Sequence, residues 1–308
     1  MPNIRKQKRI PLIEHHPRNK AEVQTLLEKA LLHMTSEQIQ HWMLYQFQPE
    51  DMYCFYIEEQ LVSVIQMESH AVCIQGKKVA VNQITMAATH PDYQQKGHFS
   101  TLLKACLEQA SYTTFFTFCT TNFPLLFLHH GFERISTSKR VQIQAKDLSQ
   151  KVYGTILHSN KDTYELYQKF LSYFEASILY TKEEWEQKLA YATANRYQAL
   201  TIKENDELRA FFLYQIKDHR AYVETCIYLD SLALLDGLNY LAQQSETILC
   251  TIGQDERIEK IVPIHYPRQK DSILVHCNDS KSFKRYFATK KTNMTEFFDA
   301  LNPIWNNI

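Results

Sequence analysis

The chain has 308 residues, 44% of them hydrophobic and 22% charged, a composition that supports a packed core and excludes wholesale disorder. Its 34 Lys and Arg residues balance its 34 Asp and Glu residues, so no net charge attracts it to nucleic acid or to an acidic membrane. It has only 6 glycines, and they are not clustered. This excludes the glycine-rich phosphate loops of dinucleotide-binding and Walker-type proteins. The length predicts about two domains.

The cysteine pattern and the hydropathy predict a cytoplasmic protein. The seven cysteines are scattered without a CxxC pair, which favours reduced, buried thiols and no metal site. The basic start of the chain is followed by an apolar run, residues 10 to 13, that is too short for a signal peptide. No run approaches the ~18 apolar residues of a membrane span. We therefore expect neither a membrane nor a nucleic-acid partner.

The first half of the chain alternates helical and strand periodicities. The predicted elements, in chain order, are helices 19–32 and 38–45, strands 52–57, 61–67 and 71–74, a turn 75–78, strand 79–88, helix 99–110, strand 113–119, short helix 125–130 and strand 132–143.

The second half repeats this order. The polar segment from 147 to 162 predicts a domain boundary, with one unit at 1–147 and a second at 148–308 that ends in a C-terminal tail. The predicted elements of the second unit are helices 164–173 and 182–192, a hairpin of strands 198–203 and 208–216, strand 221–228, helix 232–243 and strand 247–252. The shared order predicts a mixed α/β fold built from a duplicated unit, although unrelated elements in a coincidental order stay an alternative.

A strand followed at once by an amphipathic helix, with one glycine in the connection, occupies residues 84 to 100. The first-turn amides of such a helix are unpaired and lie at the positive end of its dipole, so they can bind a pyrophosphate. Gly97 has no Cβ, so a phosphate can approach the backbone there. An ordinary strand-to-helix turn, with a glycine for steric ease, is the alternative.

Residues 94–99, QQKGHF, resemble motif A of the GNAT-type N-acetyltransferase superfamily, [RQ]xxGx[GA], with Phe99 in place of the small final residue. The wider string VNQITMAATHPDYQQKGHFSTLL is more similar still to the Eis-like (enhanced intracellular survival) branch. There a glycine turn, a THP step and an RxxGx loop follow one another, as Gly76, residues 89–91 and residues 94–97 do here. In that branch a degenerate second GNAT unit follows, and a sterol-carrier-like domain usually comes last. The segment after Val262 is too short for a full domain of that kind.

The resemblance implies that acetyl-CoA is the acyl donor and that no metal takes part. It implies that the strand at residues 84–86 pairs its backbone with the pantetheine amides and that the loop and helix start cradle the pyrophosphate. The implied cofactor-binding residues are Ile84, Thr85, Met86, Gln94, Gln95, Lys96, Gly97, His98, Phe99, Ser100 and Asn122. The second unit has Asp230 at the corresponding junction, where a carboxylate would repel phosphate. We therefore expect it to bind no cofactor.

The catalytic residues are not assigned by the sequence. Residues 123–132 resemble the family's closing motif, YxxxGF, but the tyrosine that commonly protonates the leaving thiolate is replaced by Phe127. His129 and His130 are weak candidates, and helical spacing predicts that at most one of them faces the site. Asn82 and Gln83 stand where many relatives place a glutamate base, and neither amide can accept a proton.

These features predict an acetyl-CoA-dependent N-acyltransferase in which a primary amine attacks the thioester directly. The missing tyrosine and base leave a non-catalytic acyl-CoA-binding or sensing protein as the main alternative, and an interaction scaffold with a vestigial site as a weaker one. The acceptor, a small-molecule or peptide amine, is not identified by the sequence. A homo-oligomer stays open.

Overall fold

The computed structural model describes residues 11–301, and both the basic start of the chain and its last residues, 302–308, lie outside this range. Within it the helices are α1 (Lys20–Ala30), α2 (Ser36–Tyr45), α3 (His98–Ala110), α4 (Leu125–Leu128), α5 (Thr163–Leu171), α6 (Lys182–Ala194), α7 (Ser231–Ala242), α8 (Ser280–Tyr286) and α9 (Met294–Phe298).

The strands of the described part form one mixed sheet. They are β1 (Pro11–His15), β2 (Met52–Ile57), β3 (Gln60–Ile74), β4 (Lys77–Thr89), β5 (Phe116–Thr121), β6 (Glu133–Gln144), β7 (Thr155–Leu157), β8 (Ile178–Leu179), β9 (Gln198–Glu204), β10 (Glu207–Lys217), β11 (Arg220–Tyr228), β12 (Thr247–Gly253) and β13 (His265–Cys277). Their order in the sheet is β1-β2-β3-β4-β5-β13-β6-β12-β11-β10-β9-β7, and β8 pairs with β3 beside this path.

The same succession of elements occurs twice along the chain. α1, α2, β2, β3, β4, α3, β5 and β6 correspond in order to α5, α6, β9, β10, β11, α7, β12 and β13. In each unit the strand before the long helix pairs in parallel with the strand after it, which is the pairing expected of a β–α–β crossover. The tandem α/β arrangement predicted from the sequence is confirmed.

The last strand of each unit lies beside the strand that follows the long helix of the other unit. β6 pairs with β12, β13 pairs with β5, and β6 and β13 pair with each other in the middle of the sheet. All three pairings are antiparallel. Backbone hydrogen bonds therefore join the two units. Strands on each side of the boundary predicted between residues 147 and 148 pair with strands on the other side of it. The boundary itself stays a prediction.

Local sequence signals explain where several elements begin. Capping boxes start three helices, each with the side chain of the cap and that of the third helical residue bonding to each other's backbone amide. The pairs are Asn19 with Glu22, Thr35 with Gln38, and Thr181 with Glu184. The hairpin between β3 and β4 turns at Gln75 and Gly76, whose φ angles of 52° and 72° fit a type I′ turn.

Alternate residues of β3 pack on opposite faces of the sheet. Ile65 and Met67 lie in the cluster under α3, whereas Val64 lies in the cluster under α1 and α2. Val72 and Ile74, on the same side as Val64, join a third cluster that α5, α6, α8 and α9 cover. The helix that starts at the candidate phosphate loop therefore lies on the face opposite to α1, α2 and α6.

Two differences from the predicted elements affect the site. Strands 61–67 and 71–74 form one strand, β3, because Glu68 and His70 are half-buried or buried and remain in register with β4. The segment predicted as a C-terminal tail contains β13. Its short apolar run, Ile273 to Val275, was not interpreted as a strand, and its pairing partners are more than a hundred residues away along the chain.

Within residues 11–301, no helix is long and apolar enough to cross a membrane. The same residues contain no group of three or more His, Cys, Asp or Glu placed to hold a metal ion. All seven cysteines lie in this range and are free thiols.

The close contact between α7 and β10 gives a stability prediction. A Cβ at Gly237 would overlap the ring of Phe212, which is fully buried. Gly237→Ala gains about 1 kcal/mol of helix propensity, but overpacking costs about 1–3 kcal/mol. We expect a net loss of stability in urea titration that Phe212→Leu, added to the same variant, partly restores. An unchanged or raised unfolding midpoint would show that the helix does not pack this closely.

Candidate active site

The sheet opens between β4 and β5. These parallel strands pair only at Asn82 with Thr117, Gln83 with Phe118, and Ile84 with Cys119. β4 continues to Thr89 and β5 to Thr121, but within the described residues their facing edges make no further pairs. Backbone donors and acceptors of β4 beyond Ile84 therefore face a gap, where an extended ligand can pair with them as an added strand does.

A bulge on β4 marks the start of this gap. Gln66 pairs with Met86 and Met67 pairs with Ile84, so Thr85 is the extra residue on β4. The Thr85 hydroxyl donates to Oε1 of Glu68 at 2.6 Å. Met86 packs against the cluster under α1 and α2, so two consecutive side chains of the bulge lie on the same face. The bulge adds local twist, and β4 turns away from β5 where it occurs.

The amino-terminal end of α3 is open. Gly97 is its N-cap, with φ of 81° and no side-chain cap, and Gln95 before it has φ of 59°. No acceptor among residues 11–301 takes a hydrogen bond from the backbone amides of residues 95–100. An added Cβ at Gly97 would meet no atom within 4 Å, so the space beside the loop is free. These unpaired amides at the positive helix end can hold a phosphate group.

A cleft of about 620 Å³ runs from the start of α3 to α4. Its lining is mainly apolar, and it is formed by Phe99, Ser100, Asn122, Phe123, Pro124, Leu125, Leu126, His129 and His130. Three predicted cofactor-binding residues thus line one cleft, namely Phe99, Ser100 and Asn122. The side chains of Ile84, Thr85 and Met86 do not line it, and only their backbone edge faces the gap.

Two side chains of the predicted phosphate loop donate hydrogen bonds to nearby backbone carbonyls. Gln94 donates through Nε2 to the carbonyl of Thr89 at 3.1 Å, and Lys96 donates through Nζ to the carbonyl of Asp92 at 2.5 Å. The His98 ring packs against Phe55, with ring centroids 5.2 Å apart, and burial and then the charge of Lys96 lower the pKa of His98. The loop therefore offers backbone amides, one ammonium group and a neutral imidazole.

Phe127, which replaces the expected acidic tyrosine, is buried, whereas the two histidines after it line the cleft. Phe127 is 4% exposed and packs edge-on against Phe99 and Phe132, with ring centroids 5.7 and 5.4 Å away. His129 and His130 both line the cleft, whereas helical spacing predicted at most one. The reason is that α4 ends at Leu128, so the two histidines lie in the turn after it. Burial and the neighbouring His129 lower the pKa of His130.

The second unit keeps the bulge but closes the gap. β11 and β12 pair as far as Val223 with Cys250, and Glu224 is the extra residue of the bulge on β11. Beyond it, the carboxylate of Glu256 accepts hydrogen bonds from the Tyr228 hydroxyl at 3.0 Å and from the Gly253 amide at 2.5 Å. Glu256 thus bridges the ends of the two strands, and its burial raises its pKa to about 7.

The helix that follows in the second unit is also capped. Asp230 is the N-cap of α7, and its Oδ1 accepts from the amide of Ala233 at 2.9 Å. Its Oδ2 accepts from Arg209 at 2.6 Å. The position that is open at Gly97 in the first unit is therefore filled by a paired carboxylate in the second. This agrees with a degenerate second unit.

A smaller polar pocket of about 130 Å³ lies on the face opposite α3 and was missed by the sequence analysis. It is lined by Gln46, Gln48, Asp51, Glu68, Ser69, His70, Tyr180, Glu184, Gln187 and Lys188. The signal for it was present, because Glu68 and His70 alternate within an apolar strand and so share one face. Their polarity was interpreted as a break between two strands.

Residues 17–114 match the family model of the acetyltransferase (GNAT) domain. No curated protein matches the sequence significantly.

Solved structures with a similar fold include the following three. A probable N-acyltransferase from Enterococcus faecalis V583 is 15% identical, with a TM-score of 0.72 over 89% of this chain and 74% of that one. A GCN5-related N-acetyltransferase from Anabaena variabilis is 14% identical, with a TM-score of 0.73 over 88% and 73% of the two chains. Eis1 from Mycobacterium abscessus is 12% identical, with a TM-score of 0.67 over 89% and 75%. Residues 17–114 thus match an acetyltransferase (GNAT) domain, and the described chain has a tandem α/β fold similar to that of Eis1.

Proposed function

We propose that this protein transfers the acetyl group of acetyl-CoA to a primary amine. The observation that carries the proposal is the combination of an open strand edge after Ile84 with an uncapped helix start at Gly97, and a cleft begins at that helix start. An extended pantetheine needs the first feature and a pyrophosphate needs the second. The second unit lacks both features, because Glu256 and Asp230 fill them.

Each part of the site has a distinct role in binding. The amides of residues 95–100 would hold the pyrophosphate, with the ammonium of Lys96 nearby. The backbone of β4 from Thr85 onward would pair with the pantetheine amides, so that the thioester lies at the bulge. Phe99, Ser100 and Asn122 would line its path.

The reaction needs orientation more than acid–base chemistry. Acetyl-CoA supplies an activated acyl carbon, and the amine nitrogen bonds to that carbon while the carbon–sulfur bond breaks. Backbone amides of β4 beside the gap can donate to the carbonyl oxygen as negative charge develops on it. The nitrogen loses one proton to water, and the thiolate takes one from water. Holding amine and thioester together removes much of the entropic part of the barrier.

The lack of a proton donor for the leaving thiolate limits the rate of acetyl transfer. Phe127 is buried among aromatic rings and has no proton to donate. A thiol such as that of CoA has a pKa near ~8.5, so its thiolate can leave without assistance. A positioned acid contributes about 10²–10⁴-fold. We therefore propose an active enzyme of modest turnover.

A matched pair of glycine variants tests the phosphate site. Gly97 and Gly76 both have positive φ, 81° and 72°, and both have open space around a Cβ. Aspartate at either position costs a similar backbone strain of about 1–2 kcal/mol. We expect Gly97→Asp to weaken acetyl-CoA binding at least about 100-fold in calorimetry, since its carboxylate repels phosphate and competes for the amides. Gly76→Asp should bind normally, and equal affinities for the two variants would refute the assignment.

The closed gap of the second unit predicts the stoichiometry. Calorimetric titration with acetyl-CoA should give one binding site per chain. Glu256→Ala, which removes the bridge between β11 and β12, should still give one site because Asp230 continues to cap α7. Two sites in the unaltered protein would contradict the proposed role of the second unit.

The activity is tested by following thiol release from acetyl-CoA with and without amines. We expect release that depends on a primary amine and equals the amount of acetylated amine measured by mass spectrometry. Tertiary amines of the same length should give no release, because their nitrogen has no proton to lose. Tight acetyl-CoA binding without amine-dependent release would instead identify an acyl-CoA-binding protein.

A further inference from the structure

The bulge on β4 is held by a carboxylate on the neighbouring strand. Thr85 is the extra residue of the bulge, so regular pairing with β3 does not fix its backbone. Its hydroxyl instead donates to Oε1 of Glu68 at 2.6 Å. The branched Cβ of threonine restricts rotation about the Cα–Cβ bond, so a hydrogen bond at Oγ1 also restrains the backbone of the same residue. Glu68 therefore limits the direction in which the bulge points.

Glu68 is itself held in place by a buried amide. Its Oε1 also accepts from Nε2 of Gln66 at 2.7 Å. Gln66 is fully buried, and two backbone groups orient its amide, because Nε2 donates to the carbonyl of Gln46 at 2.9 Å and Oε1 accepts from the amide of Gln48 at 3.0 Å. Burial alone would raise the pKa of Glu68, but hydrogen bonds to its oxygens outweigh it and hold that pKa below its usual value. The acceptor of the Thr85 hydroxyl is therefore charged, which strengthens the bond.

The bulge of the second unit is also held by charged groups. Its extra residue is Glu224, whose carboxylate accepts from Arg140 on β6 at 3.2 Å and from Nζ of Lys270 on β13. The carboxylate lies on the bulge in the second unit and on the neighbouring strand in the first. In both units, however, the side chain of the extra residue has a charged hydrogen-bond partner. This recurrence favours a role in fixing the bulge over an incidental contact.

We propose that Glu68 is a positioning residue for acetyl transfer and that it acts through Thr85. The inference depends on the proposed function, in which the thioester lies at this bulge and backbone amides of β4 donate to its carbonyl oxygen. Glu68 contacts the side chain of Thr85 and not the edge of β4 that faces the gap, so it touches no reacting atom. Its hydrogen bond instead sets the direction in which the amides after Ile84 face the thioester. An error of about 1 Å in such placement can lower a rate about 100-fold.

Thr85→Val tests this role, because it keeps the branched shape of the side chain and removes the hydroxyl donor. We expect kcat for acetyl transfer to n-butylamine to fall about 10–100-fold, since a hydrogen bond to a charged group is lost. The KM for n-butylamine and the affinity for CoA, which has no acyl carbonyl, should not change. Thr85→Ser keeps the hydroxyl and should recover most of the kcat that Thr85→Val loses.

The matched control is Thr251→Val, which makes the same change on β12 of the second unit. The Thr251 hydroxyl is buried and has no hydrogen-bond partner among residues 11–301, so its removal should leave kcat unchanged. Glu68→Ala should lower kcat about as much as Thr85→Val, and the double variant should lower it no further, because both changes remove the same hydrogen bond. Losses that multiply in the double variant would contradict an action through Thr85. If Glu68→Ala does not fold, the two Thr85 variants decide the question.

Isotope-edited infrared spectroscopy of acetyl-CoA, labelled at its carbonyl carbon, measures the same interaction without turnover. A hydrogen bond to the thioester oxygen lowers the carbonyl stretching frequency. Binding to the unaltered protein should therefore lower this frequency, and binding to Thr85→Val should lower it less. Equal frequencies and equal kcat values for the unaltered protein and Thr85→Val would overturn the positioning role and leave acetyl transfer standing. Bound acetyl-CoA without amine-dependent thiol release would overturn the proposed function and this inference together.

Discussion

The divergence of β4 from β5 is the constraint on which the site depends. Parallel pairing holds the two strands together as far as Ile84 and Cys119, and the bulge at Thr85 then turns β4 away. Unpaired backbone groups in a protein interior are costly, so such an edge persists only where a ligand or water can satisfy it. The same bulge directs the Thr85 hydroxyl to Glu68 on the opposite face. Thr85, the one extra residue of the bulge, therefore connects the gap between β4 and β5 with the polar pocket.

The exchange of last strands makes the two units a single framework. Because β13 lies between β5 and β6, the edge of β5 that does not face the gap is fully paired, and this pairing holds β5 in its place in the sheet. α6 of the second unit lies over β3 of the first, which brings Glu184 beside His70. The second unit repeats the bulge at Glu224, but there the side chain of Glu256 occupies the space beyond it.

The sequence predicted the parts of this account that local patterns encode. The helix from 99 to 110, the loop around Gly97 and the repeated order of elements follow from apolar spacing and a short motif, and the structure has them within a few residues. The insertion of β13 and the closeness of Glu68 to Glu184 depend on contacts between distant segments, which no local pattern records. Both His129 and His130 line the cleft because α4 is one turn long and ends before them, and their roles stay predictions.

Amide hydrogen exchange, with and without CoA, tests the central claim most directly. If the open edge and the uncapped helix hold the donor, CoA should slow the exchange of the amides at residues 85–89 and 95–100. The corresponding amides of the second unit, after Val223 on β11 and at the start of α7, should exchange at unchanged rates. Slowed exchange in the second unit, or none at β4 and the start of α3, would contradict the account.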